Sequence, residues 1–274
     1  MLNISRRGFW RLGSALLGSA VCFAPSYGQE SKASLPEAPV ATQTVATNTT
    51  QDIEISWKQL PKRILLDEKD IWLFPTRLAR GRYWIPTLVV VGGTAGLVVA
   101  DPHAMPYFRT HAGNLDDFND VFDGPITNAE IGLVPVTFFL VGKIRHNSYA
   151  KKTGLLAGEA YTDGFILDLA IKAVTRRQRP SEVAPGAPFN DTFFNTKKSV
   201  VGSSFPSGHA VEAFSVATVV ARRYGRHRWV PLVAYSCAIA ISLSRVTTRA
   251  HFPSDIFLGA ALGYSIARFQ VLRN

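Results

Sequence analysis

The sequence predicts an all-α protein, a bundle of about six helices. Six apolar runs, at about 84–100, 131–144, 155–175, 209–223, 229–246 and 256–271, are separated by polar loops. The runs are rich in Ala, Leu, Gly and Val, lack two-residue alternation and exceed ordinary strand length. Their ends carry helix punctuation. Pro206-Ser207 stands before the fourth run and Pro253-Ser254-Asp255 before the sixth, with Ser254 or Asp255 as cap. Pro180 closes the third and Gly225 divides the fourth from the fifth.

Residues 1–28 read as an export signal. Ser5-Arg6-Arg7-Gly8-Phe9-Trp10-Arg11 resembles the twin-arginine pattern, which addresses proteins exported already folded. A mildly apolar stretch from Leu12 to Phe23 follows, and Ser26-Tyr27-Gly28 offers small residues for cleavage before Gln29. The competing reading is an uncleaved membrane anchor. Residues 29–56, rich in Ser, Thr, Ala, Gln and Pro, form a flexible linker. Residues 57–274 then form the folded domain, opening with a short interfacial or capping segment at 57–82 that sets Trp57, Trp72 and Phe74 among charges. Cys237 lies in an apolar run and is expected to be a buried core thiol.

The chain of 274 residues is 47% hydrophobic with mean hydropathy +0.09, rich for a soluble protein and lean for one made mostly of membrane spans. Its net charge of +10 suits anionic lipid or phosphorylated substrates. Nucleic acid is set aside, because no basic helix interleaved with aromatics and no zinc-finger or RNA-binding signature is present.

Three motifs carry the chemistry: Lys172 with Arg179-Pro180, Pro206-Ser207-Gly208-His209, and Ser244-Arg245 with His251 and Asp255. His251 and Asp255 are four apart, so one helical turn brings the carboxylate to a ring nitrogen, fixing the tautomer and leaving the other nitrogen to attack. Arg245 can fork two N–H groups onto a phosphate. Ser207 and Gly208 start a helix whose outward N–H groups and dipole favour an anion, and Gly208 permits close backbone approach. His209 projects from the first turn as a general acid. Lys172 and Arg179, seven apart, lie on one helical face, while Arg176 and Arg177 between them read as a solvated basic helix end. Asp168 pairs with Lys172 at i,i+4. Glu212 is either a surface glutamate or a tuner of His209. Phe189, Phe193, Phe194 and Phe205 read as core packing or as the lining of an acyl-chain entrance.

These eleven positions match without substitution the pattern K-x6-RP, PSGH and SR-x5-H-x3-D, and the chain over about residues 130–270 closely resembles the type 2 phosphatidic acid phosphatase and haloperoxidase superfamily. The resemblance implies a metal-independent phosphatase. His251 would be the nucleophile forming a phosphohistidine and Asp255 would orient it. His209 would protonate the leaving oxygen and then activate water. Lys172, Arg179, Ser207, Gly208 and Arg245 would bind the phosphoryl oxygens. No metal or other cofactor is expected, and His103, His111, His146 and His227 form no cluster with ligand spacing.

The implied substrate is a phosphate monoester, or a lipid phosphate or diphosphate. The rivals are a vanadium-dependent haloperoxidase, for which the chain is short, and a non-catalytic lipid-binding bundle, which would need cations but no nucleophile. Two settings are open: soluble or peripheral in the periplasm, or integral in the membrane. If all six runs span from a cytoplasmic N-terminus, the cationic loops 143–152 and 222–228 lie inside, and the acidic loop 101–127 and the motifs outside. A cleaved signal is incompatible with that arrangement. Both settings put the site outside the cytoplasm.

Overall fold

The computed structural model describes residues 54–111, 115–122 and 127–273, and among these all regular structure is helical. The signal and nearly all of the expected linker lie outside the described residues. The six apolar runs are six long helices: α3 (Trp84–His111), α5 (Thr127–Ile144), α6 (Ser148–Thr175), α7 (Gly208–Arg223), α8 (Trp229–Thr247) and α9 (Pro253–Ser265). Two short helices, α1 (Leu60–Trp72) and α2 (Phe74–Ala79), form the segment ahead of them, and α4 (Asp116–Phe122) lies between α3 and α5.

One expectation fails between residues 101 and 127. Most of that loop is helix: α3 continues to His111 through Pro102 and Pro106, and α4 follows. Prolines normally end a helix interior. Tertiary contacts outweigh that cost, because Asp101 and Met105 are fully buried and Phe108 packs on the cluster of Phe189, Val246 and Phe252.

Helix α7 is the hub, packing against α5, α6, α8 and α9. Its small residues (Ala210, Ala213, Ser215, Ala217, Ala221) are buried and let neighbours approach closely. Glycines complete the crossing with α9. A Cβ on Gly259 would meet the Ser207 carbonyl oxygen at 2.7 Å, and one on Gly263 would overlap the Val211 carbonyl.

The bundle has two ends. The α5–α6 and α7–α8 connections lie together at one, joined by the Tyr149 hydroxyl donating to the Arg223 carbonyl and by Arg223 Nε donating to Thr153 Oγ1 at 2.7 Å. The C-terminal ends of α6 and α8 and the N-terminal ends of α7 and α9 form the other. All three motifs sit at that second end.

Helices α3, α5 and α8 are each long and apolar enough to cross a membrane. They turn large apolar side chains outward, among them Leu88, Val89, Leu133, Leu140, Leu232 and Leu243.

Candidate active site

Ser207 caps α7, its Oγ accepting from Ala210 N at 3.5 Å, and its own N–H donates to the Asp255 carbonyl at 3.1 Å. The second and third motifs are thus joined through backbone. Gly208 lies against the end of α6, where a Cβ would stand 3.1 Å from Asp168 Oδ2 and 3.2 Å from Lys172 Nζ. Lys172 and Asp168 form the expected ion pair at 2.7 Å, nearly sealed from solvent.

Arg179 reaches the site differently from expectation. Helix α6 ends at Thr175 and Arg176 takes a left-handed conformation, φ 39°, so Lys172 and Arg179 share no helical face. Instead Gln178 N–H donates to the Thr192 carbonyl and Phe194 N–H to the Thr175 carbonyl, and the returning loop holds Arg179 in extended backbone. Arg179 Nε is buried without a hydrogen bond.

Nδ1 of His251 stands 2.6 Å from the Ser204 carbonyl oxygen and 3.5 Å from Asp255 Oδ2. A carbonyl only accepts, so Nδ1 carries the proton and Nε2 keeps its lone pair. Asp255, expected to fix the tautomer, stands behind this contact as a charge. It sits at the first turn of α9, where its Oδ2 accepts from Phe252 N–H and Ser204 Oγ, each at 2.8 Å. Asp255, and not Ser254, therefore closes the helix start.

Arg245 Nη1 lies 3.3 Å from His209 Nε2. A guanidinium only donates, so Nε2 accepts and the ring is neutral. Burial, then His251, Lys172 and Arg179, pull the His209 pKa down to about 3. Burial also lowers that of His251, opposed by Asp255, with Lys172 and Arg179 adding to the fall. The closeness of Gly208 to Lys172, the Ser207–Asp255 backbone contact and the Arg245–His209 contact bring the three motifs together, and both imidazoles feel the same cations. An anion would relieve this repulsion.

The lowered His209 pKa makes stability depend on pH. From its ordinary 6.5 down to about 3, the folded state binds fewer protons than the unfolded chain. Stability is full above the unfolded value and falls as the pH drops through this window. His209→Asn is expected to flatten that acid slope, measured by thermal melting between about pH 7 and about pH 4.

One further expectation is overturned, and one of two alternatives is removed. Arg177 is not a solvated helix end: it is 1% exposed, with its guanidinium on Asp255, Asp101, Ser254 and Thr192. Glu212 is not at the surface either but 3% exposed in α7. The phenylalanines divide: Phe189 and Phe205 are buried, Phe193 lies over Arg177, and Phe194 is exposed. Cys237 is half-buried. The sequence conceals Arg177 because Arg176-Arg177-Gln178-Arg179 looks solvated, and its buried charge partners, Asp101 and Asp255, are distant in the chain.

Among the described residues, no three His, Cys, Asp or Glu side chains are arranged to hold a metal ion. A cavity of about 640 Å³ lined by Phe214, Arg222, Tyr235 and Tyr264 opens at the opposite end of α7, so it is separate from the motif site.

Comparison with known proteins bears on the same segment. Residues 154–273 match the PAP2 superfamily, a span that includes all three motifs. The chain is 39% identical over 62 residues to a lipid A 1-phosphatase of Porphyromonas gingivalis, covering 22% of this chain and 14% of that protein. It is 31% identical over 116 residues to a decaprenylphosphoryl-5-phosphoribose phosphatase of Mycobacterium tuberculosis, covering 42% of this chain and 58% of that one. It thus spans less than two thirds of either relative. A transmembrane PAP2-type phosphatidylglycerolphosphate phosphatase from Bacillus subtilis, 20% identical, aligns over 64% of this chain and 95% of its own with a TM-score of 0.34.

Proposed function

Because the chain belongs, through residues 154–273, to the PAP2 superfamily, we propose that it is a lipid phosphate phosphatase working through a covalent phosphohistidine. One observation carries this reading. His251 presents an unprotonated Nε2, fixed by the Ser204 carbonyl, within the field of Lys172 and Arg179.

Lys172, Arg179, Arg245, the Ser207 hydroxyl and the Gly208 N–H at the start of α7 bind the phosphoryl oxygens. Nε2 of His251 attacks phosphorus while the bond to the leaving oxygen breaks. The bound phosphoryl group counters the cations, so His209 regains its basicity and carries the proton that it gives to that oxygen. Water then attacks the phosphohistidine, His209 takes its proton, and inorganic phosphate leaves as His251 is restored. No step calls on a metal.

The substrate is a lipid phosphate or diphosphate. Two relatives, the lipid A 1-phosphatase and the decaprenylphosphoryl-5-phosphoribose phosphatase, have names of that class, and three apolar helices among the described residues carry outward-facing side chains suited to a bilayer. We place the site on the non-cytoplasmic side. Lys143, Arg145, Lys151, Lys152, Arg222, Arg223, Arg226 and Arg228 crowd the end of the bundle away from the motifs, where cationic loops favour the cytoplasm. In intact cells, a membrane-impermeant thiol reagent is expected to label Ser199→Cys and to spare His227→Cys. The reverse pattern would invert the orientation.

The decisive experiment uses detergent-purified protein on phosphatidate, a prenyl diphosphate and a soluble aryl phosphate, with and without chelator. Hydrolysis of a lipid substrate, insensitive to chelator, is expected. Quenching with base should trap a phosphoprotein that is stable to alkali and labile to acid, as phosphohistidine is. Activity lost to chelator, or a trapped species stable to acid, refutes the mechanism.

A further inference from the structure

We propose that Asp101 and Arg177 are positioning residues for His251, forming with Asp255 a buried triad that ties helix α3 to the nucleophile. The inference rests on the phosphohistidine reading above. Neither residue belongs to the three motifs, and Asp101 lies 154 positions before Asp255 in the chain.

Both acceptors facing His251 Nδ1 rest on Arg177. The first is the Ser204 carbonyl. Ser204 N–H donates to the Arg177 carbonyl at 2.8 Å, and Arg177 N–H donates to Ser203 Oγ at 3.0 Å, so this stretch of loop is hung on the Arg177 backbone. The second is Asp255, whose Oδ1 accepts from Arg177 Nη1 at 2.6 Å. The same Nη1 donates to Ser254 Oγ at 2.7 Å, and Nε donates to Thr192 Oγ1 at 3.1 Å.

Arg177 is held in turn by Asp101, whose Oδ2 accepts from Nη2 at 2.7 Å. Asp101 also accepts from the Ser254 N–H and hydroxyl, one residue before Asp255. The guanidinium lies 3.8 Å from the ring centroid of Phe252 and 4.3 Å from that of Phe193, which excludes water from the triad.

Two carboxylates and one guanidinium leave a net negative charge beside His251. That charge suits an imidazole that becomes cationic as phosphorus bonds to its Nε2. Removing the Asp101 charge weakens this counter-charge and loosens Arg177. The ring then loses orientation, while the phosphate-binding cations stay in place. A residue that merely stabilised the fold would affect binding and turnover alike.

The test is Asp101→Asn, an isostere that removes charge but keeps bulk, with Arg177→Gln and the double variant. For Asp101→Asn, kcat is expected to fall about 100-fold. Competitive inhibition by inorganic phosphate should stay within about twofold of the parent, because no phosphate ligand is touched. Arg177→Gln and the double variant should lose no more than one another, since both break the same chain of contacts. Nitrogen NMR of labelled histidine supplies a second readout, independent of turnover. The parent should show His251 as the tautomer protonated at Nδ1, and Asp101→Asn should mix the tautomers or shift the ring's titration.

Full turnover by Asp101→Asn, or a loss appearing equally in phosphate binding, overturns the proposal. So does an unchanged His251 spectrum. If the parent hydrolyses none of the substrates, the phosphatase reading fails by itself, and the His251 spectrum still decides whether Asp101 acts on the ring.

Discussion

Replacing His251 by alanine is expected to lower hydrolysis by about 10⁴-fold or more while inorganic phosphate still binds. The magnitude follows from what is removed. Without Nε2 no covalent intermediate forms, and losing the nucleophile of a covalent mechanism costs several powers of ten, leaving the catalysis that binding and charge stabilisation provide. Binding persists because Lys172, Arg179 and the α7 N-terminus are unchanged. His251 is buried and neutral before reaction, so removing it leaves the cations that hold the anion unchanged and the phosphate inhibition constant should move little. The measurement is steady-state kinetics with phosphate as competitor, plus the base-quench trap, which should capture no phosphoprotein. Retained hydrolysis would remove His251 from the chemistry. Loss of phosphate binding together with hydrolysis would point to a folding defect, to be checked by melting.

The second large effect comes from a residue that touches no substrate. Gly259→Ala is expected to cut activity by about 100-fold. The new methyl would stand 2.7 Å from the Ser207 carbonyl oxygen and 2.9 Å from Ala210 Cβ, and neither is the tip of a flexible side chain. Helix α7 must therefore shift at its first turn, the turn that carries Ser207, Gly208 and His209. Overpacking of this kind costs about 1–3 kcal/mol, so the protein should still fold. Gly92→Ala, in α3 with nothing within 4 Å of its added Cβ, is the control and should keep full activity. Kinetics of the two variants at matched folded fraction decide the matter. Equal activity would mean that the α7–α9 crossing yields without moving the site.

Much of this molecule could be read from one dimension because the governing interactions are local. The six apolar runs became six helices, and α7 and α8 match their runs within a residue at each end, since apolar run length and Pro-Ser starts act over a single turn, whereas α3 runs on to His111 and α6 begins at Ser148. The Lys172–Asp168 pair followed from i,i+4 spacing, and the Ser207 cap from its place before an apolar run. Misreadings arose where the deciding partner was remote. Helix α3 continued past two prolines because Arg177 and Ser254 bury Asp101. The tautomer of His251 was assigned to Asp255 by spacing, but a backbone carbonyl 47 residues earlier makes the closer contact. A carbonyl has no side-chain identity for a motif to record.

By itself the sequence determined the helical class, the limits of α7 and α8, and a set of groups whose chemistry suits a phosphoryl centre. Only the tertiary structure decided that Arg179 arrives by a loop instead of a helical face, that Arg177 is a buried brace, and that His251 is oriented chiefly by Ser204. The physical reason is that helix formation and capping depend on neighbours within a few residues, whereas burial of a charge and the direction of an imidazole depend on whichever segments packing brings alongside.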